Sequence, residues 1–578
     1  MESLKRKRAA KACNYCRKRQ PAVAADRVDE IFSRLESLES YIRDALAARR
    51  DRSPISSPYA IPRRLEPTRR GETVPLTPDE VLGAPSVPST ATQASLSHFA
   101  NSNVFNTTMD IPLSHSSTTG NLLRSAPAKA LLGHYPADLF LHIELRRRIP
   151  EALQLSPVPI SQIELPTISS HEADGLVQNF FRLVHRFYPV LDQRAFYDLY
   201  HRILEDGLRP DIASALVLVV LALGAVSAET PDPRDPAWHP GIRYFTPAIR
   251  LLLAESLGSF GGNPILPQAL YFAGVYYSYL SRPLLAWRLV HMASTDVQHY
   301  WIRNSEKLLR GAQGDSQDQS ILRLFWAILV LECDILAEHH LPRSGIEKIV
   351  DKLPYPWSDG PSEPYISRWL ADLASRRLLN RIHYVLYAGT EPGTGGEAGS
   401  DRYSDETQKN LPSLSYELTR QLGAWYQLLP NSIRPDLETT PSNIDDTMVV
   451  IRYHTTGEVI YRPFLCQACA IAPDTPCTVT LENAQQCLHH CREYLNVVEH
   501  AVRAPTASLE NLLHGTMAVV LLLSFAAFSK LDALRVPDLE KLQDKGIRIC
   551  ERWAFPGSSI EQMVVILRAL RAKCIDTG

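Results

Sequence analysis

An all-α fold is predicted by three observations. From His171 onward, long apolar-periodic segments recur, among them LVQNFFRLVHRFYPVL, ILRLFWAILVLECDIL and LLHGTMAVVLLLSFAAF. Short breaks rich in Pro or Gly, such as TPDPRDP and GGNPILP, separate them. Alternating strand patterns are scarce, and no repeat of fixed period is present. The expectation is a large helical body, preceded by a short coiled-coil helix and a disordered linker.

Composition sets the limits. Of 578 residues, 45% are apolar and 21% charged, which suits a soluble chain with at least one large core. The net charge of −2 means that any affinity for nucleic acid must come from a local patch. Ten unevenly spaced cysteines without a signal peptide fit a reducing compartment. Two apolar runs, Ile212–Ala228 and Gly515–Phe528, reach 17 and 14 residues. Both fall short of the ~20 needed to span a bilayer, so they read as buried core helices and no membrane partner is expected.

The first element, 1–23, is basic. Residues 1–20 hold eight Lys or Arg against one Glu, a charge of +7. Lys5, Arg6, Lys7 and Arg8 form a run of the nuclear-localisation type. Cys13 and Cys16 follow at metal-ligand spacing, flanked by Lys11, Arg17, Lys18 and Arg19; such a basic setting lowers thiol pKa values and offers phosphate contacts. No third cysteine appears before Cys333.

The next element, 24–48, places Val28, Ile31, Leu35, Leu38 and Ile42 in a 3-4-3-4 spacing that keeps one seam toward a partner helix. Arg34 and the following Glu39 would pair across a parallel homodimer. The competing reading is a single amphipathic helix docked on the body. Residues 49–164 then change composition. Eight prolines fall between positions 51 and 100, and a Ser/Thr/Asn-rich stretch follows, so the segment reads as a disordered linker. The body spans 165–388 and 413–578, divided by the flexible acidic loop 389–412.

Within the body, the aromatic residues Phe180, Phe181, Phe187, Phe325, Trp326 and Phe464 read as core. Arg462, between Tyr461 and Pro463, is expected to pair with an acid or with helix-end carbonyls. Cys466, Cys469, Cys477, Cys487 and Cys491, with His489 and His490, are a rival metal cluster, but the stretch reads as helix, loop, helix and the cysteines as small core residues. Glu338-His339-His340 reads as a polar helix end before Leu341-Pro342. No G-x-S-x-G, H-E-x-x-H or G-x-x-x-x-G-K-[ST] is present, and no catalytic residue is assigned.

Ala12-Cys13-Asn14-Tyr15-Cys16-Arg17-Lys18-Arg19 resembles the opening of the fungal binuclear zinc cluster, the six-cysteine DNA-binding domain of a class of fungal transcription factors. The resemblance ends there. Gln20 replaces a frequent lysine, Ala22 stands where the family has a basic residue, and Val23 stands where the third cysteine belongs. Three readings remain open: a natural product that contains the full cluster, from which some twenty or more residues are missing here; a degenerate remnant with weak phosphate affinity; and two C-x-x-C motifs joined as an interchain four-thiolate zinc site. Segments 176–200, 267–294, 323–356 and 453–465 are similar, in order, to the fungal-specific transcription factor domain.

What the resemblance implies is a nuclear, sequence-specific regulator controlling a metabolic gene set, secondary-metabolite clusters included. It would use zinc, if the cluster is complete, at Cys13 and Cys16, with Lys11, Arg17, Lys18 and Arg19 on DNA. Its helical domain would restrain activation and in some cases bind a small-molecule effector. The alternative is a dimerising partner that does not bind DNA and sequesters an intact homologue through homodimer- or heterodimer-forming residues 24–48.

Overall fold

The computed structural model describes residues 111–578, apart from 113–114, 156–157, 231, 233–234, 236–237, 310–315, 357–363, 389–404, 471–476, 530 and 578. Among the described residues there is no strand, only an isolated bridge between His115 and Ala388. The all-α expectation is met.

Three short helices come first: α1 (Thr119–Leu122), α2 (Ala126–Leu132) and α3 (Leu139–Arg146). They start where side chains can cap them. Thr118 accepts from Asn121 N, and Ser125 accepts from Ala128 N with a proline in the first turn. Gly133, at φ 81°, closes α2. The sequence assigns this stretch to the linker. Instead it is a folded strap, and Leu122, Leu123, Ala128 and Phe140 are buried in the body. Its polar composition hid a core role, because much of what it buries is polar.

The first half of the body runs α4 (Ser170–Asn179), a π-helical turn (Phe180–His185), α5 (Gln193–Asp206), α6 (Ile212–Val226), α7 (Ile242–Ser256), α8 (Ile265–Tyr279), α9 (Pro283–Leu309), α10 (Ser316–Leu336), α11 (Glu347–Val350) and α12 (Pro364–Tyr387). Asp192 and Asp211 cap α5 and α6 by accepting from the backbone N–H three residues on. Helix α6 is apolar all round because it is surrounded, packing on α4, α7 and α8. Each of its buried Leu and Val side chains stabilises the fold by roughly 1.5–3 kcal/mol. Gly224 permits the closest approach in this layer: a Cβ there would lie 2.0 Å from the Leu176 carbonyl oxygen of α4.

The second half comprises α13 (Asp405–Leu428), α14 (Ile444–Ala470), α15 (Thr478–Ala501), α16 (Leu509–Phe528), α17 (Leu539–Glu551) and α18 (Ser559–Thr577). Helix α14 packs along α15, and α16 is wrapped by α14, α15, α17 and α18. Helix α16 extends six residues before the apolar run read from the sequence and is long and apolar enough to cross a membrane; its apolar window is 78% buried inside the protein. Helix α12 touches both α13 and α14, and α8 touches α16, so these contacts join the halves.

Phe180, Phe325, Trp326 and Phe464 are core residues, as expected. Phe181 packs on Phe196 and Tyr197, half-buried. Phe187 is different and lines a cleft, described below.

Candidate functional site

The residues to which the sequence assigns chemistry mostly lie outside the described residues: Lys5, Arg6, Lys7, Arg8, Lys11, Cys13, Cys16, Arg17, Lys18 and Arg19, and the seam Val28, Ile31, Leu35, Leu38 and Ile42. The rival cysteine cluster is described. Cys487 and Cys491 are buried thiols on α15, Cys466 and Cys469 face them from α14, and Cys477 is exposed. Burial pushes the Cys469 thiol up to about 12, as for a packed core thiol. Among the described residues no group of three or more His, Cys, Asp or Glu is arranged to hold a metal ion.

A cleft opens where the halves meet. It holds about 80 Å³ of free volume and is partly open to solvent. The π-helical turn sets up one wall, since it ends at His185 and the next residues, Arg186, Phe187 and Tyr188, line the cleft. Tyr271 of α8 and Trp369 of α12 continue it; Trp425 of α13 and Met448 of α14 come from the second half. The Trp425 indole N–H donates to the Ala371 carbonyl at 3.0 Å, which fixes the ring.

Charged side chains cross the cleft in pairs. Asp445 Oδ2 accepts from Arg186 and, at 2.6 Å, from Arg368, whose other amino group lies 3.4 Å from Asp446. Arg452 Nε donates to Asp372 at 2.6 Å, and Arg376 pairs with Asp334. These bonds tie the π-turn exit, α10 and α12 to α14. Sequence reasoning missed all of them, because the partners are 42 to 259 positions apart and each is an ordinary surface-type residue alone.

A second polar system lies beneath the strap. Glu338 Oε2 accepts from Thr119 N at 2.9 Å and stands 3.2 Å from His514 Nδ1; His514 Nε2 is 3.6 Å from Glu510. Burial opposes charge on His514, yet the two flanking carboxylates outweigh it and hold the imidazole up at about 9. Burial likewise opposes the Glu510 charge, but His514 and the Ser559 hydroxyl pull it down to about 2. His115 Nε2 donates to the Leu336 carbonyl at 3.0 Å, which leaves Nδ1 to accept from Ser117, 2.6 Å away. Ser117 Oγ then accepts from His383 Nδ1 at 2.7 Å, and Arg462 donates to the Ser117 carbonyl at 2.6 Å. Arg462 also grips Glu458 through two bonds of 2.7 and 2.9 Å, the structural role expected of it. Glu338-His339-His340, read as a polar helix end, is thus a buried junction of α10, α16 and the strap.

In the second system the Ser117 hydroxyl stands beside the His115 imidazole, and both are buried. Residues 177–359 match the family model of the fungal specific transcription factor domain. The chain is also 25% identical over 411 residues to a protein of Aspergillus rugulosus named "Putative transcription factor ecdB", an alignment covering 66% of this chain and 66% of that relative. This chain therefore spans about two thirds of the length of the curated relative it matches. Together the two similarities support a fungal transcription factor and point to a regulator, not an enzyme. The matched region 177–359 supplies Arg186, Phe187, Tyr188, Tyr271 and Asp334 to the cleft, while Trp369, Trp425, Asp445 and Arg452 come from helices beyond it.

Proposed function

We propose that the chain is a nuclear, sequence-specific transcription regulator of the fungal zinc-cluster type, serving a metabolic gene set, secondary-metabolite clusters included. The match over 177–359, behind an N-terminus that carries Cys-x-x-Cys in a basic run and a heptad seam, is the observation that supports this reading. Lys5 to Arg8 would direct nuclear entry, Lys11 and Arg17 to Arg19 would contact DNA, and Val28, Ile31, Leu35, Leu38 and Ile42 would form the dimer seam. The helical body would be the regulatory part and its cleft the place for an effector.

Zinc fits this chain incompletely. Cys13 and Cys16 supply two thiolates where one tetrahedral zinc needs four ligands and the family's cluster needs six sulfurs. Zinc therefore belongs to the reading only where the natural product carries the complete cluster. The second reading rests on Val23 standing in place of the third cysteine: a dimerising partner that sequesters an intact homologue without touching DNA.

A gel shift with the full chain, with and without chelator and across a salt series, separates the two. Sequence-specific binding that survives moderate salt supports the regulator. Loss of all binding at moderate salt supports the sequestering partner, because phosphate contacts alone fall steeply with salt.

A further inference from the structure

The cleft has the look of an anion site, since Arg186, Arg368 and Arg452 all line it. Its bonding argues the reverse. With Arg376 just behind, four arginines face four aspartates, Asp334, Asp372, Asp445 and Asp446, and each arginine is engaged by at least one of them. The wall carries no net charge. An organic anion entering it would surrender its hydration, which costs several kcal/mol, and meet four carboxylates along with the four guanidiniums. An uncharged molecule has no such cost.

Beyond those pairs the cleft lining is aromatic and apolar: the half-buried Phe187, Tyr188 and Met448 and the buried Tyr271, Trp369 and Trp425.

We propose that this cleft binds an uncharged aromatic molecule, and that it discriminates against organic anions despite its arginines. The proposal rests on the effector reading of the helical body. Asp445 is the residue that sets the preference, because its carboxylate neutralises both Arg186 and Arg368.

The test uses the purified full chain, isothermal titration at pH 7, and two probes that share a ring system, 2-naphthol (uncharged) and 2-naphthoate (anionic). The expected result is saturable naphthol binding with a Kd lower than that for naphthoate by about ten-fold or more. Met448→Trp, a half-buried lining position, should weaken naphthol by about ten-fold or more without moving the thermal midpoint. Asp445→Asn should free the Arg186 guanidinium, leave Arg368 with Asp446 alone, and tighten naphthoate by about ten-fold. If Asp445→Asn fails to fold, the Met448→Trp comparison still decides. Naphthoate binding as tightly as naphthol to the unmodified chain, naphthol binding indifferent to Met448→Trp, or no saturable naphthol binding would each overturn the proposal. DNA binding by the same preparation, measured separately, reports on the regulator reading, so either can fail alone.

Discussion

His514 Nδ1 lies 3.2 Å from the Glu338 carboxylate, with the histidine wholly removed from water. The two residues belong to α16 and to the exit of α10, so one ion pair joins the two halves of the body. Thr119 of the strap bonds the same carboxylate twice, at 2.9 and 3.1 Å. Breaking a buried pair leaves an uncompensated charge and costs on the order of 3–5 kcal/mol. Glu338→Gln should therefore lower the unfolding free energy from urea titration by that amount, whereas Glu561→Gln, at a hydrogen bond exposed to solvent, should lower it by less than about 1 kcal/mol.

Stability should peak near pH 6.5 and fall on both sides. His514 is raised from 6.5 to about 9, so its contribution is complete below pH 6.5 and is lost as pH rises through 9. Burial lowers His115, His339 and His454 to about 4 and His185 and His490 to about 3. Their contributions are complete above pH 6.5 and are lost as pH falls through those values. Thermal midpoints measured from pH 5 to pH 9 should trace this maximum, and His514→Gln should remove the alkaline fall while leaving the acid one.

Gly224→Ala places a methyl group 2.0 Å from a backbone oxygen that no side-chain rotation can move. Overpacking of this kind costs typically 1–3 kcal/mol, and more when the backbone must shift. The expected result is a clear drop in melting temperature, with no comparable drop for Gly175→Ala, where nothing lies within 4 Å.

The strap should be indispensable to the body. A chain beginning at residue 150 would strip Ser117 from His383 and Arg462, Thr119 from Glu338, and Glu144 from the Ser559 N–H it accepts at 2.8 Å. Buried groups left without partners each cost about 1–3 kcal/mol. Such a chain should show no cooperative thermal transition, where one beginning at residue 111 should show one.

How much of this was legible depended on the kind of interaction. Helices α6, α8 and α16 are apolar over nearly their whole length, and hydrophobic patterning reveals such elements without any knowledge of neighbours. The strap escaped notice because SHSSTTGN looks like solvated linker until His383, Arg462 and Glu338 are seen to need Ser117 and Thr119. The cleft was equally hidden: Asp445 stands 77 positions from Arg368 and 259 from Arg186. Pairing between distant charges leaves no local periodicity to detect. By contrast Arg462, with Glu458 one helical turn away, was readable as an ion pair.

The central claim is that this chain regulates transcription. Chromatin immunoprecipitation of the tagged full chain from the organism that encodes it, sequenced and set beside the transcript changes on deletion, tests it most directly. The account predicts discrete promoter-proximal sites next to a small set of genes whose transcripts change when the chain is removed. Absence of such sites together with an unchanged transcript profile would contradict it.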